Sequence, residues 1–159
     1  MEVELTVNGE IRKASVEPET TLLVMLREAL GLTGAKLGCD VGDCGACSVI
    51  LDGKSVNACL VLAAQANGRD VQTIEGLADA EHLHPLQDFF EKLAALQCGF
   101  CGPGIILTAK TLIDENSDPS DFEIRDALAG HLCRCTGYTK IVEAVADAAH
   151  AMRKNETST

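Results

Sequence analysis

A chain of 159 residues has room for one ordinary domain or two small ones, and its formal charge of −11 argues against nucleic acid or an anionic membrane surface as partner, since both recruit basic patches. No apolar run approaches the roughly 20 residues that span a bilayer, and the amino terminus has no basic region followed by an apolar core, so the sequence reads as soluble, unexported and cytoplasmic. Eight cysteines in a reducing compartment more often bind metal or carry redox chemistry than pair as disulfides, and with aromatics at 3% and no Trp the core must be Leu, Val, Ile and Ala.

In chain order, Val3, Leu5 and Val7 alternate with Glu2, Glu4 and Thr6, the period of a strand with one buried face. Asn8-Gly9 supplies a hairpin turn, and Ile11 to Val16 the returning strand. Thr21 is placed to cap a helix with Leu22, Leu23, Leu26 and Leu30 on one face, stopped by Gly31. Directly after it comes Gly38-Cys39-Asp40-Val41-Gly42-Asp43-Cys44-Gly45-Ala46-Cys47, three thiols spaced C-x4-C-x2-C. That is the three-cysteine run of a plant-type [2Fe-2S] site, which needs a fourth cysteine from elsewhere. Its glycines permit positive φ and let backbone N–H groups approach anionic sulfur. Ser48 to Leu51, a turn at Asp52-Gly53 and Lys54 to Ala58 form a second hairpin, which returns Cys59 to the loop as that fourth ligand. Leu60 to Ala66 reads as a short buried helix ended by Gly68, and Val71 to Ile74 as a last strand. Short mixed strands around one helix predict a β-grasp, ferredoxin-like domain over residues 1–76.

Gly76 to Pro85 is polar and aperiodic, and the domain boundary is placed there. Beyond it, residues 77–159 predict an all-α, four-helix domain, which makes the chain α+β. Leu86, Phe89, Phe90 and Leu93 share one helical face; Ile105, Ile106, Ala109, Leu112 and Ile113 share another. Ser120 with Glu123 is a capping box opening a third helix through Leu128, with Gly130 past its end. The fourth runs from Thr139 to Met152, and Asn155 to Thr159 read as a frayed tail. Cys98-Gly99-Phe100-Cys101 and Cys133-Arg134-Cys135 each precede a helix start, so two positive helix ends could converge on one anionic cluster. Pro103 suits the first helical position and Gly102 the cap.

Taken together, Gly38-Cys39 through Cys47 with Cys59, Gln97-Cys98-Gly99-Phe100-Cys101-Gly102-Pro103-Gly104, and Leu132-Cys133-Arg134-Cys135-Thr136-Gly137-Tyr138 resemble the small iron-sulfur subunit of the molybdenum hydroxylases, the xanthine dehydrogenase, aldehyde oxidoreductase and carbon monoxide dehydrogenase family. The resemblance runs from the first strand to about His150, and its one departure is Gly102, where the family often has Thr or Ser. It implies two [2Fe-2S] clusters on this chain, molybdenum-molybdopterin on a large partner subunit and, commonly, FAD on a medium one, in a hetero-oligomer such as a dimer of heterotrimers. It further implies that Cys98, Cys101, Cys133 and Cys135 hold the cluster nearer molybdenum, with Gln97 and Cys135 approaching the pterin. Cys39, Cys44, Cys47 and Cys59 would hold the cluster on the flavin side.

Plainer readings stand beside these. Two zinc sites would account for eight cysteines, although zinc favours pairs two to four residues apart, which C-x4-C-x2-C and C-x-C fit poorly. A free-standing two-cluster ferredoxin would account for the clusters but not for the helical half. Arg134 could simply offset thiolate charge, Lys36 reads as a solvated charge, and His82, His84 and His150 are given no role. With no nucleophile-and-base motif and no phosphate loop, the expected task is electron transfer within an oxidoreductase, with no substrate chemistry on this chain.

Overall fold

The computed structural model describes residues 1–79 and 81–156. Strand β1 (Glu2–Val7) buries Val3, Leu5 and Val7, as its alternation predicts, and pairs antiparallel with β2 (Glu10–Ser15) from Glu2↔Ser15 to Val7↔Glu10. Between them Asn8 (φ 52) and Gly9 (φ 82) both take left-handed backbone, the turn whose twist matches a two-residue hairpin. The second hairpin, β3 (Ser48–Leu51) and β4 (Lys54–Asn57), turns the same way at Asp52 (φ 46) and Gly53 (φ 80). With β5 (Asp70–Gln72) these strands make one mixed sheet ordered β2-β1-β5-β3-β4, in which β1 and β5 are parallel.

Three expectations for this half need correction. The helix capped by Thr21 is α-helical only as α1 (Leu22–Val24) and widens into a π-turn over Met25–Ala29, closed by the Leu30 N–H on the Met25 carbonyl at 3.1 Å. That wider turn seats Met25 beside Leu26 in the core and leaves Leu30 only partly buried. Leu60 to Ala66 is not a helix but two 3₁₀ turns, Ala58–Leu60 and Ala63–Ala66, with Leu60 61% exposed. Its backbone is drawn away: the Val61 carbonyl accepts from the Leu22 N–H at 2.7 Å, and the Ala63 N–H donates to the Thr20 carbonyl at 2.8 Å. The last strand stops at Gln72, and Ile74 opens a 3₁₀ turn to Gly76.

Among the described residues four helices follow, α2 (Pro85–Lys92), α3 (Gly102–Glu115), α4 (Asp121–Ala127) and α5 (Thr139–Glu156), so the chain is α+β. The Ser120–Glu123 capping box forms as expected, with the Ser120 N–H donating to Glu123 Oε2 at 2.7 Å. The cap of α3 lies one residue earlier than predicted: Cys101 holds the N-cap position and Gly102 is already helical. Helix α5 extends past Met152 to Glu156, so the expected tail shrinks to residues 157–159, which lie outside the described residues. Among the described residues no helix is long and apolar enough to cross a membrane.

The described residues form two apolar cores. One, beneath the sheet, contains Leu5, Leu22, Leu23, Leu26, Val49, Leu51 and Val71, together with Cys47 and Cys59. The other gathers Leu86, Phe90, Ile105, Ile124, Ile141 and Val145 from the helices, together with Cys101. Strand β3 is buried at all four positions because its side chains alternate between the two: Val49 and Leu51 enter the first core, Ile50 the second.

Candidate functional site

The first loop needs positive φ at Asp40 (61°), Gly42 (85°) and Gly45 (69°), the conformers that curl a chain back on its own sulfurs. At Gly38 a Cβ would lie 2.7 Å from Cys44 Sγ, so only glycine leaves that thiol its place. The loop's amides point inward, and Cys39 Sγ accepts from the Asp43 N–H at 3.2 Å and the Cys44 N–H at 3.3 Å. Backbone N–H groups of Val41 and Cys44 hold the free Cys39 thiol down to about 7. Burial pushes Cys47 up to about 11, and the thiol of Cys59 beside it and that of Cys44 add to the rise. The four thiols named from the spacing thus face one another across the loop and the end of the β3–β4 hairpin.

The second set converges in the same way. Burial pushes Cys101 up to about 12, aided by the neighbouring thiols of Cys133 and Cys98. Burial also opposes the Cys133 thiolate, but the Thr136 hydroxyl and the N–H groups of Cys135 and Thr136 outweigh it and lower its pKa. Cys135 is raised by the thiol of Cys98. These four cysteines, with Phe100, Leu132 and Arg134, line an open cavity of about 280 Å³. Helix α3 begins directly at Cys101, aiming its positive end at this space.

Both sets fit an iron-sulfur group by their own chemistry. All eight cysteines are free thiols. Soft sulfur donors in fours, N–H groups aimed at sulfur, and two buried thiols that ionise only beside a strong cation are what such a group requires. Among the described residues no three His, Cys, Asp or Glu side chains are set to hold a single metal ion.

Gln97 is exposed, and its side-chain amide donates to the Cys135 carbonyl at 3.1 Å, so the two residues named as pterin neighbours do meet. Arg134 is exposed at the cavity. The Lys36 ammonium donates to the Thr33 carbonyl at 2.6 Å, an exposed contact that leaves it in reach of water. His84, given no role from the sequence, is the N-cap of α2: its Nδ1 accepts from the Leu86 N–H at 3.2 Å.

One residue escaped the sequence reading altogether. His131 is buried between the two loops, its Nε2 3.1 Å from both Ser48 Oγ and Thr108 Oγ1, while its Nδ1 has no partner. Leaving such an atom unpaired costs roughly 1–3 kcal/mol, and burial pushes the imidazole's pKa below its ordinary value. The next residue, Leu132, donates its N–H to the Cys44 carbonyl at 3.0 Å, so the two cysteine loops touch. Tyr138 braces the same corner, its hydroxyl accepting from the Cys133 N–H at 2.7 Å and donating to the His131 carbonyl at 2.9 Å. The only signals for His131 in the sequence were its place two residues before Cys133 and that of Ser48 directly after Cys47.

Residues 5–77 match the family described as the 2Fe-2S iron-sulfur cluster binding domain, and residues 73–146 match the [2Fe-2S] binding domain. The chain is 50% identical over 143 residues to the nicotinate dehydrogenase small FeS subunit of Eubacterium barkeri, covering 90% of this chain and 91% of that one. The crystal structure of quinoline 2-oxidoreductase from Pseudomonas putida 86 superposes with a TM-score of 0.93 at 46% identity, covering 97% of this chain and 96% of that one. The aldehyde oxidoreductase of Desulfovibrio desulfuricans ATCC 27774 superposes with a TM-score of 0.92 at 47% identity; 96% of this chain is covered but only 17% of that one, where the same fold is part of a much longer polypeptide.

Proposed function

Because the chain belongs to the family of small iron-sulfur subunits of the molybdenum hydroxylases, we propose that it passes single electrons from a molybdopterin centre on a large partner subunit, through two [2Fe-2S] clusters, to FAD on a medium subunit or to another acceptor. Residues 1–76 form a β-grasp, plant-type ferredoxin-like domain holding the first cluster through Cys39, Cys44, Cys47 and Cys59. Residues 77–159 form a four-helix domain holding the second through Cys98, Cys101, Cys133 and Cys135. What a [2Fe-2S] group supplies when bound is a one-electron change of charge.

The chain's own residues decide what that change costs. The Asp43 and Cys44 N–H groups favour negative charge on Cys39 sulfur, and the first turn of α3 does so near Cys101. Around Cys47, Cys59 and Cys101 burial excludes water and penalises added charge. Exposed Gln97 and Cys135 form the face turned to the pterin, and Cys39 lies on the flavin side. The partners' assembly, a dimer of heterotrimers on this reading, and the substrate are properties of the other subunits.

The observation that supports this reading best is the meeting of eight free thiols in two groups of four. Its test is the metal content of the native complex: about four irons and four acid-labile sulfides per small chain, with two distinguishable paramagnetic signals on reduction. Zinc in place of iron, or a single signal of one spin after full reduction, would sink it. Gln97→Ala tests the direction of flow. Both clusters should assemble, substrate-driven reduction should slow, and reduction of the first cluster by a small dye should be unchanged; an unaltered substrate-driven rate rejects the pterin contact.

A further inference from the structure

Among the described residues, His131 Nδ1 is the single buried side-chain nitrogen or oxygen without a hydrogen-bond partner. A leucine would fill the same space with no orphaned atom, so what the imidazole gains must lie at its other nitrogen. There Nε2 meets two hydroxyls from different parts of the chain. Ser48 follows Cys47 directly, and its hydroxyl also donates to the Gly45 carbonyl at 2.8 Å, inside the first cysteine loop. Thr108 lies on α3, the helix that begins at Cys101, and its hydroxyl is 2.6 Å from that of Ser55 on β4. His131 itself leads through Leu132, bonded to the Cys44 carbonyl, into Cys133. One ring therefore ties the first loop, β4, α3 and the second loop together.

We propose that His131 is a positioning residue for electron exchange between the two centres: held by Ser48 and Thr108, it keeps the Leu132 N–H on the Cys44 carbonyl and so fixes how far one set of thiolates stands from the other. This role rests on the two-cluster reading above. In the exchange one reduced centre loses an electron and the other gains it, and no bond is made or broken. Separation and orientation are then what the protein can set.

The test uses the assembled complex carrying H131L, H131Q or the pair S48A/T108V. In H131L about four irons per chain remain, but the magnetic splitting between the two reduced centres changes, and the Leu132 amide exchanges roughly five- to tenfold faster, as expected when a hydrogen bond that restrains it is lost. H131Q, which keeps an amide to offer the same two hydroxyls, is expected to restore both readouts. S48A/T108V reproduces H131L while the chain beside Cys133 keeps its sequence. Unchanged splitting and exchange in S48A/T108V overturn the proposal, and should H131L lose its iron, that pair decides by the same two readouts. Iron missing from the unmutated complex overturns it too, but by removing the two-cluster reading, and so is told apart from a failure at His131.

Discussion

At the scale of single residues, the first site depends on an atom that is absent. A Cβ at Gly38 would press on Cys44 Sγ at 2.7 Å, so Gly38→Ala should cost the first cluster and leave about two of four irons per chain; retention of all four would show that the thiol can move aside. The free thiols also differ in reactivity. Cys39, held to about 7 by backbone N–H groups, is largely thiolate just above neutrality, whereas Cys47 at about 11 and Cys101 at about 12 stay protonated. In iron-free chain, for as long as residues 38–47 keep this backbone, alkylation at pH 7.5 should therefore mark Cys39 well before Cys47 or Cys101, as peptide mass spectrometry can read. The two cysteine sets could be read from the sequence because their spacing is local. His131 was not, because its meaning lies in Ser48, Thr108 and Cys44, which are brought to it only by the docking of one half on the other.

At the scale of elements, helix starts declared themselves where the cap is a local pattern, as at Ser120 and Glu123. The stretch from Leu60 to Ala66 misled, because its carbonyl at Val61 and its N–H at Ala63 bond to residues 20–22, some forty positions earlier. Helix α2 adds a dependence on pH that its sequence did not announce. His84 caps it through Nδ1, which can accept a hydrogen bond only when unprotonated. Burial lowers the His84 pKa from 6.5. Over the interval between the folded and unfolded values the unfolded chain binds more protons, so this contribution is present above pH 6.5 and is lost as pH falls. Amide protection in α2 should weaken between pH 7 and 5, and His84→Asn, which caps without titrating, should abolish that trend while costing less than about 1 kcal/mol. An unchanged slope in His84→Asn would place the titration elsewhere.

For the whole molecule, the halves meet through glycines. A Cβ at Gly104 would run into the Gly45 carbonyl, and one at Gly45 would stand 2.6 Å from the Gly130 carbonyl. Because the obstacle is backbone, Gly104→Ala should lower stability by about 1–3 kcal/mol, seen as an earlier thermal midpoint with both paramagnetic signals broadened. By contrast, Cys44→Ala keeps the carbonyl that accepts from the Leu132 N–H. The first cluster should be lost and residues up to about Ile74 should loosen, while the second cluster remains. If both vanish together, the boundary proposed near residues 76–85 does not separate two folding units.

Strand β3 limits how portable either half can be. With Val49 and Leu51 facing one core and Ile50 the other, the first 76 residues cut free would carry a bare apolar stripe at Ile50, next to Ser48 and Ser55, whose hydroxyls have lost His131 and Thr108. Borrowed as a stand-alone redox module, such a fragment would cling to copies of itself. Repainting Ile50 with a polar side chain should make the fragment monodisperse, and the same change in the intact subunit should loosen the helices behind it.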